Sequence, residues 1–185
     1  MLELNCNFDG GTYIKDEHKY GYWGYVLFSS NFSINPDDKP LFIESFVENS
    51  SSKPKDFLYS HIPGSRFPLN TNNRAEYMGF LSACLRMKKS LYLFRKVDIK
   101  LNINGDSKLV INQMNRKWVC REPNLYKMWK VSQDLLYSIQ ISYKNTDLQL
   151  KWVSRTEPNQ QIADKVARQL SKDTKKQLGG EKTEL

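Results

Sequence analysis

Residues 97–114 read Val97-Asp98-Ile99-Lys100-Leu101-Asn102-Ile103-Asn104-Gly105-Asp106-Ser107-Lys108-Leu109-Val110-Ile111-Asn112-Gln113-Met114. Val97, Ile99, Leu101 and Ile103 alternate with polar residues, the period of a half-buried strand, and the run stops at Asn104-Gly105-Asp106. A helix is expected from there through Met114. The stretch therefore predicts a strand that delivers an aspartate to a turn and then a helix, the building unit of an α/β domain.

Working back toward the amino terminus, Leu4, Cys6 and Phe8 alternate with Glu3, Asn5, Asn7 and Asp9, which predicts a first strand ending at Asp9-Gly10-Gly11. Tyr20 to Ser29 and Leu41 to Val47 read as two more strands, rich in aromatic and aliphatic residues, and the three form an antiparallel meander. Residues 48–70 carry Ser50-Ser51-Ser52, Pro54, Pro63-Gly64 and Pro68, a composition that breaks regular structure and marks a surface insertion. Its Phe57, Leu58, Tyr59 and Phe67 suggest that it packs against something. Helix signals begin at Asn73, continue through Met78, Leu81 and Leu85, and close with Lys88-Lys89.

Toward the carboxyl terminus, Trp118 to Pro123 is irregular, and Leu125 to Ile139 is helical, with Leu125, Met128, Trp129, Leu135, Leu136 and Ile139 on its apolar face. Leu148, Leu150 and Trp152 mark a fifth strand, and Ile162, Ala163, Val166, Ala167 and Leu170 a last amphipathic helix. The order β-β-β-α-β-α-α-β-α predicts an α/β fold with a mixed sheet over residues 1–171, followed by a charged, frayed tail over 172–185.

A length of 185 residues suits one domain with a real core. The net charge of +8 and pI near 9.3 favour an anionic partner such as nucleic acid. Cys6, Cys84 and Cys120 are odd in number and form no Cys-x-x-Cys pair, which argues for free thiols in a reducing, cytoplasmic setting and against structural zinc. No apolar run approaches the roughly 20 residues of a membrane span, and the start is too polar for a signal peptide, so no membrane partner is expected.

Asp9, Asp106 and Glu76 fall where strands give way to turns or helices, with Glu76 in a first helical turn, and Asp164 lies early in the closing helix. Ligand sites of α/β sheets gather at such strand ends, so the four carboxylates are expected to converge. Clustered carboxylates repel one another in a low-dielectric cleft, and two divalent cations hold them ionised together; Mg2+ is the expected ion, with Mn2+ able to substitute. Taken singly, each residue has a plainer role. Asp9-Gly10 suits a tight turn, Asn73 with Glu76 a capping box, Asp106 an N-cap, and Asp164 a solvated helix position. The joint pattern is what carries weight.

The strings Phe8-Asp9-Gly10-Gly11, Thr71-Asn72-Asn73-Arg74-Ala75-Glu76, Gly105-Asp106-Ser107-Lys108-Leu109-Val110-Ile111-Asn112-Gln113 and Ala163-Asp164-Lys165-Val166-Ala167, in that order, resemble ribonuclease H of the type 1 class across residues 3–171. The resemblance implies a five-stranded mixed sheet flanked by helices. It also implies two-metal hydrolysis of the RNA strand of RNA/DNA hybrids, leaving 5′ phosphate and 3′ hydroxyl ends. Asp9 would bridge both metals, Glu76 and Asp106 would complete one site, and Asp164 the other. Glu76, Asn72 and Asn73 would sense ribose 2′ hydroxyls, Thr71 would hold a DNA phosphate, and Gly10, Gly11, Ser107 and Lys108 sit inside the same strings as substrate contacts. A monomer is expected.

The chain departs from the family in two places. Many members carry a histidine ahead of the last aspartate, but the only histidines here are His18 and His61. The segment Trp152 to Asn159 instead resembles an archaeal and bacterial subgroup in which arginine replaces it, making Arg155 the candidate cation for product release and double-stranded RNA a secondary substrate. The amide usual four residues before the last aspartate is Gln160 here, with Asn159 beside it, and either one could serve. Trp118 would pack on DNA sugars while Arg116, Lys117 and Arg121 meet phosphates, unless Trp118 is a core residue. The rival readings are a noncatalytic nucleic-acid-binding protein on the same fold and another nuclease or strand-transfer enzyme of that fold.

Overall fold

The alternating stretches of sequence become five strands of one sheet: β1 (Leu2–Lys15), β2 (His18–Ser29), β3 (Phe42–Asn49), β4 (Ile99–Gly105) and β5 (Thr146–Trp152). Four helices complete the order expected from the sequence: α1 (Asn72–Leu91), α2 (Lys108–Met114), α3 (Pro123–Ser142) and α4 (Pro158–Gly179). The computed structural model describes residues 1–15, 18–29, 42–49, 71–92 and 97–179. The insertion read at 48–70 lies almost wholly outside the described residues, as do residues 180–185. No helix among the described residues is long and apolar enough to cross a membrane.

The sheet order is β3-β2-β1-β4-β5, antiparallel from β3 to β1 and parallel from β1 through β4 to β5. Leu4, Cys6 and Phe8 of β1 and Leu101 and Ile103 of β4 point to the side covered by α1, where they meet Tyr77, Phe80, Leu81 and Cys84 in a continuous core. Phe8 and Phe80 meet edge to face with ring centroids 5.4 Å apart. Helix α3 buries Leu125, Met128, Leu136 and Ile139 behind α1, while Trp129 and Leu135 from its expected apolar face are only partly covered. On the opposite side α4 lies across β1, β2 and β3, and its Ala163 and Ala167 are fully buried. Such small side chains let helix and sheet approach closely: a Cβ on Gly24 would come 3.0 Å from the Ala167 Cα.

Several boundaries differ from the sequence reading. β1 does not stop at Asp9-Gly10-Gly11 but continues to Lys15, because β2 pairs with it as far as Lys15↔His18. What ends near Asp9 is the parallel ladder to β4, whose last pair is Phe8↔Gly105. The two glycines mark close approach rather than a turn. A Cβ on Gly10 would overlap the Ala75 carbonyl, and one on Gly79 would lie 2.6 Å from the Asp9 backbone oxygen, so α1 presses directly on β1 beside Asp9. Helix α1 is capped by Thr71, whose Oγ1 accepts from the Arg74 N–H at 3.2 Å, not by Asn73, and this puts Glu76 in the second turn. Helix α2 is likewise capped by Ser107 rather than Asp106. Val97 precedes β4 and is exposed. Helix α4 runs past Lys172 to Gly179, into the stretch read as a tail.

Candidate active site

At the carboxyl ends of the parallel strands, the sheet opens into a cleft of about 580 Å³. Parallel pairing forces this convergence: Phe8, Gly105 and Trp152 are neighbours across β1, β4 and β5, so the residues just beyond them emerge side by side. Asp9 follows Phe8, Asp106 follows Gly105, and Arg155 lies in the loop after Trp152. Glu76 enters from α1 and Asp164 from α4, and all four carboxylates line the cleft.

The four groups are not equivalent. Asp9 is 7% exposed, and burial, the charge of Asp106, and a hydrogen bond and charge from Asp164 push its carboxyl up to about 8, opposed by a backbone hydrogen bond from Gly10. At neutral pH it holds a proton in preference to adding a third negative charge. Glu76 is raised chiefly by burial and further by Asp106, while the Ser107 hydroxyl, donating to its Oε2 at 2.5 Å, opposes the shift. Asp106 and Asp164 are each engaged by a guanidinium: Arg155 Nε donates to Asp106 Oδ2 at 2.5 Å, and Arg168 Nε to Asp164 Oδ1 at 2.6 Å.

The donor set consists of hard carboxylate oxygens, the chemistry that Mg2+, Mn2+ or Ca2+ takes and that thiolate- or imidazole-seeking metals do not. A buried carboxyl driven up by its acidic neighbours is also the condition that a bound divalent cation relieves. The residues thus fit such a cation in chemistry and charge. Among the described residues, however, no three acidic, histidine or cysteine side chains are gathered into a finished cage. The convergence expected from sequence is met at the level of one shared cleft, with the arginines standing between carboxylates and any ion.

The other candidates divide. Gly10, Gly11 and Asn72 line the cleft, and Asn72 Oδ1 accepts from Thr12 Oγ1 at 2.7 Å. Thr71 and Ser107 serve as helix caps at its margin, and Asn73 is exposed on the first turn of α1. Lys108 does not line the cleft; its ammonium lies 4.8 Å from the centre of the Trp152 ring, whose Nε1 donates to the Asp106 carbonyl at 3.0 Å. Trp118 is also outside the cleft, and at 50% exposure it is not a core residue. Of the two amides, Gln160 is the buried one. Its Nε2 donates to the Phe8 carbonyl at 2.9 Å and its Oε1 accepts from Asn7 Nδ2 at 3.2 Å, while Asn159 is half-buried at the start of α4.

Sequence reading passed over Tyr22, Arg168, Thr12 and Lys165, which also line the cleft. Arg168 was legible as the partner four residues after Asp164 on a helix. Tyr22 was not, because nothing local says that a strand tyrosine across from Gly11 will meet the last helix.

No family model matches the chain, and no curated protein matches it. Among solved structures, the amino-terminal RNase H domain of rv2228c from Mycobacterium tuberculosis, solved as a fusion with maltose binding protein, is 18% identical, with a TM-score of 0.63 over 96% of this chain and 99% of that one. RNase H1 from the halophilic archaeon Halobacterium salinarum NRC-1 is 20% identical, with a TM-score of 0.57 over 92% and 98%. LC11-RNase H1, isolated from compost by a metagenomic approach and solved in complex with an RNA/DNA hybrid, is 18% identical, with a TM-score of 0.57 over 92% and 99%. Strand order, mixed pairing and near-complete overlap with these structures agree, and on that likeness the chain has the ribonuclease H fold.

Proposed function

We propose that this protein is a metal-dependent endoribonuclease that hydrolyses the RNA strand of RNA/DNA hybrids. The observation that carries the reading is the meeting of Asp9, Glu76, Asp106 and Asp164, from four separate elements, in one cleft at the ends of the parallel strands. A protein that only binds nucleic acid gains nothing from concentrating four acids where phosphates must approach. The net charge of +8 and the likeness to a fold partner solved on an RNA/DNA hybrid support the same substrate class.

Asp9, Glu76, Asp106 and Asp164 would hold two Mg2+ ions, or Mn2+ in their place. Bound there, divalent cations supply an activated water and charge stabilisation for an in-line displacement that leaves 5′ phosphate and 3′ hydroxyl ends. The protein's own groups do the rest. Ser107 holds the Glu76 carboxylate toward the cleft, and Thr12 fixes the Asn72 amide so that its Nδ2 can donate to a ribose 2′ hydroxyl, the group that separates RNA from DNA. Arg155, whose side chain is 83% exposed and paired with Asp106, would exchange that carboxylate for the phosphate product. Lys117, Trp118 and Arg121 offer charge and an aromatic surface for the DNA strand, and the substrate range extends to double-stranded RNA.

The test is cleavage of labelled hybrid, double-stranded RNA and DNA in parallel with Mg2+ or Mn2+, with Asp9→Asn as control. Internal cuts in the RNA of the hybrid with DNA left intact are expected. Cleavage by Asp9→Asn at the wild-type rate would overturn the metal assignment, and binding without cleavage would favour the noncatalytic reading.

A further inference from the structure

Arg168 stands one helical turn after Asp164 on α4, about half exposed, with its guanidinium donating to the Asp164 carboxylate and lying 5.8 Å from the centre of the Tyr22 ring. Tyr22 is a largely buried part of the cleft wall, with its hydroxyl end lying over Gly11. The guanidinium is thus steered on two sides, by a carboxylate and by an aromatic face. A guanidinium keeps its charge at any ordinary pH, so Arg168 competes with any other cation for the Asp164 carboxylate. Arg168 occupies Oδ1 of Asp164, one of the two oxygens a divalent cation there would compete for.

We propose that Arg168 is a latch on the Asp164 side of the cleft: it neutralises Asp164 in the metal-free protein, is displaced when a divalent cation takes that carboxylate, and then turns, still held by Tyr22, onto a backbone phosphate of the nucleic acid. This rests on the metal-dependent hydrolase reading above. The exchange costs little because one cation replaces another at Asp164 while the released guanidinium gains a phosphate, whose two non-bridging oxygens suit the paired N–H groups of its planar fork. It also couples the two ligands: metal loading frees the cation that the substrate needs.

The latch gives effects of opposite sign, which a loss of folding cannot imitate. Mn2+ binding to the protein alone, measured by calorimetry, should tighten by up to about fivefold in Arg168→Gln, the range of a half-exposed ion pair. Lys165→Gln removes the same charge from the same cleft wall without touching Asp164, and should tighten it by less than about twofold. At saturating Mn2+, the KM for hybrid should rise in Arg168→Gln, and its salt dependence should fall by about one phosphate contact. If wild-type protein takes up no Mn2+ either alone or with hybrid, the metal reading itself fails. If wild-type uptake is normal but Arg168→Gln binds Mn2+ no more tightly than Lys165→Gln, or keeps the full salt dependence, the latch is overturned and the hydrolase reading stands.

Discussion

On the α1 side of β1, Leu4, Cys6 and Phe8 are almost completely buried among apolar side chains, whereas on the α4 side of the same strand Asn5 and Asn7, in line with Asp9, meet Asn102, Asn104, Gln160 and Glu157. Asn104 donates to Asn7, Asn7 donates to Gln160 and Glu157, and Gln160 donates to the Phe8 carbonyl, so a line of amides docks the start of α4 against the strand that carries Asp9. Glu157 completes the joint by accepting from the Gln160 backbone N–H at 2.8 Å. The comparison separates two tasks. The apolar face supplies the burial that fixes where β1 lies, and the amide face uses directional bonds to set how α4, and with it Asp164, meets Asp9.

Phe8→Ala should break the comparison hardest, by emptying the apolar face at its centre; a loss of about 3–5 kcal/mol in urea unfolding is expected, and a loss under about 1 kcal/mol would mean that β1 is not held as described. Asp9→Asn, one residue along, should cut hybrid cleavage by more than about 100-fold while leaving the circular dichroism spectrum unchanged. The same variant sharpens the contrast through pH. The folded state holds the Asp9 proton up to about 8, against an ordinary carboxylate value of 3.8, so its stabilising protonation is present at low pH and is lost as pH rises through about 8. In metal-free buffer, Asp9→Asn should therefore match wild type near pH 4 and exceed it increasingly as pH rises to 9, by up to roughly 5 kcal/mol; a difference that does not vary with pH would contradict the shift. The smallest effect belongs to Asn102→Leu. The Asn102 Oδ1 is buried and has no hydrogen-bond partner among the described residues, so trading the amide for an apolar side chain of similar size should change stability by less than about 1 kcal/mol despite the donors lost to Glu3 and Asn5.

The element order was legible because the strands alternate cleanly and helices such as α3 carry an apolar stripe. The errors fell where local rules compete with tertiary contact. Asp9-Gly10-Gly11 has the composition of a turn, but the antiparallel ladder to β2 overrides it, and Gly10 is needed because α1 lies against the backbone there. Asn73 with Glu76 fits a capping box, yet Thr71 accepts the free Arg74 N–H and moves the cap two residues earlier. Trp118 could be read as core or as surface from composition, and only its neighbours leave it half exposed.

Within the site, the identities of the four acids came from motifs; parallel register brings Asp9 and Asp106 together, and the packing of α1 and α4 adds Glu76 and Asp164. The partners of those acids did not. A sequence carries periodicity, so it determines which residues are buried and which strands can exist, and it shows Arg168 one helical turn from Asp164. It carries no record of which distant side chains compete for the same oxygen. That Arg155 reaches back to Asp106, that Tyr22 faces Arg168, and that Gln160 rather than Asn159 is buried against β1 were decided only by packing α4 across the sheet, because each contact joins residues far apart along the chain through a few ångströms of space.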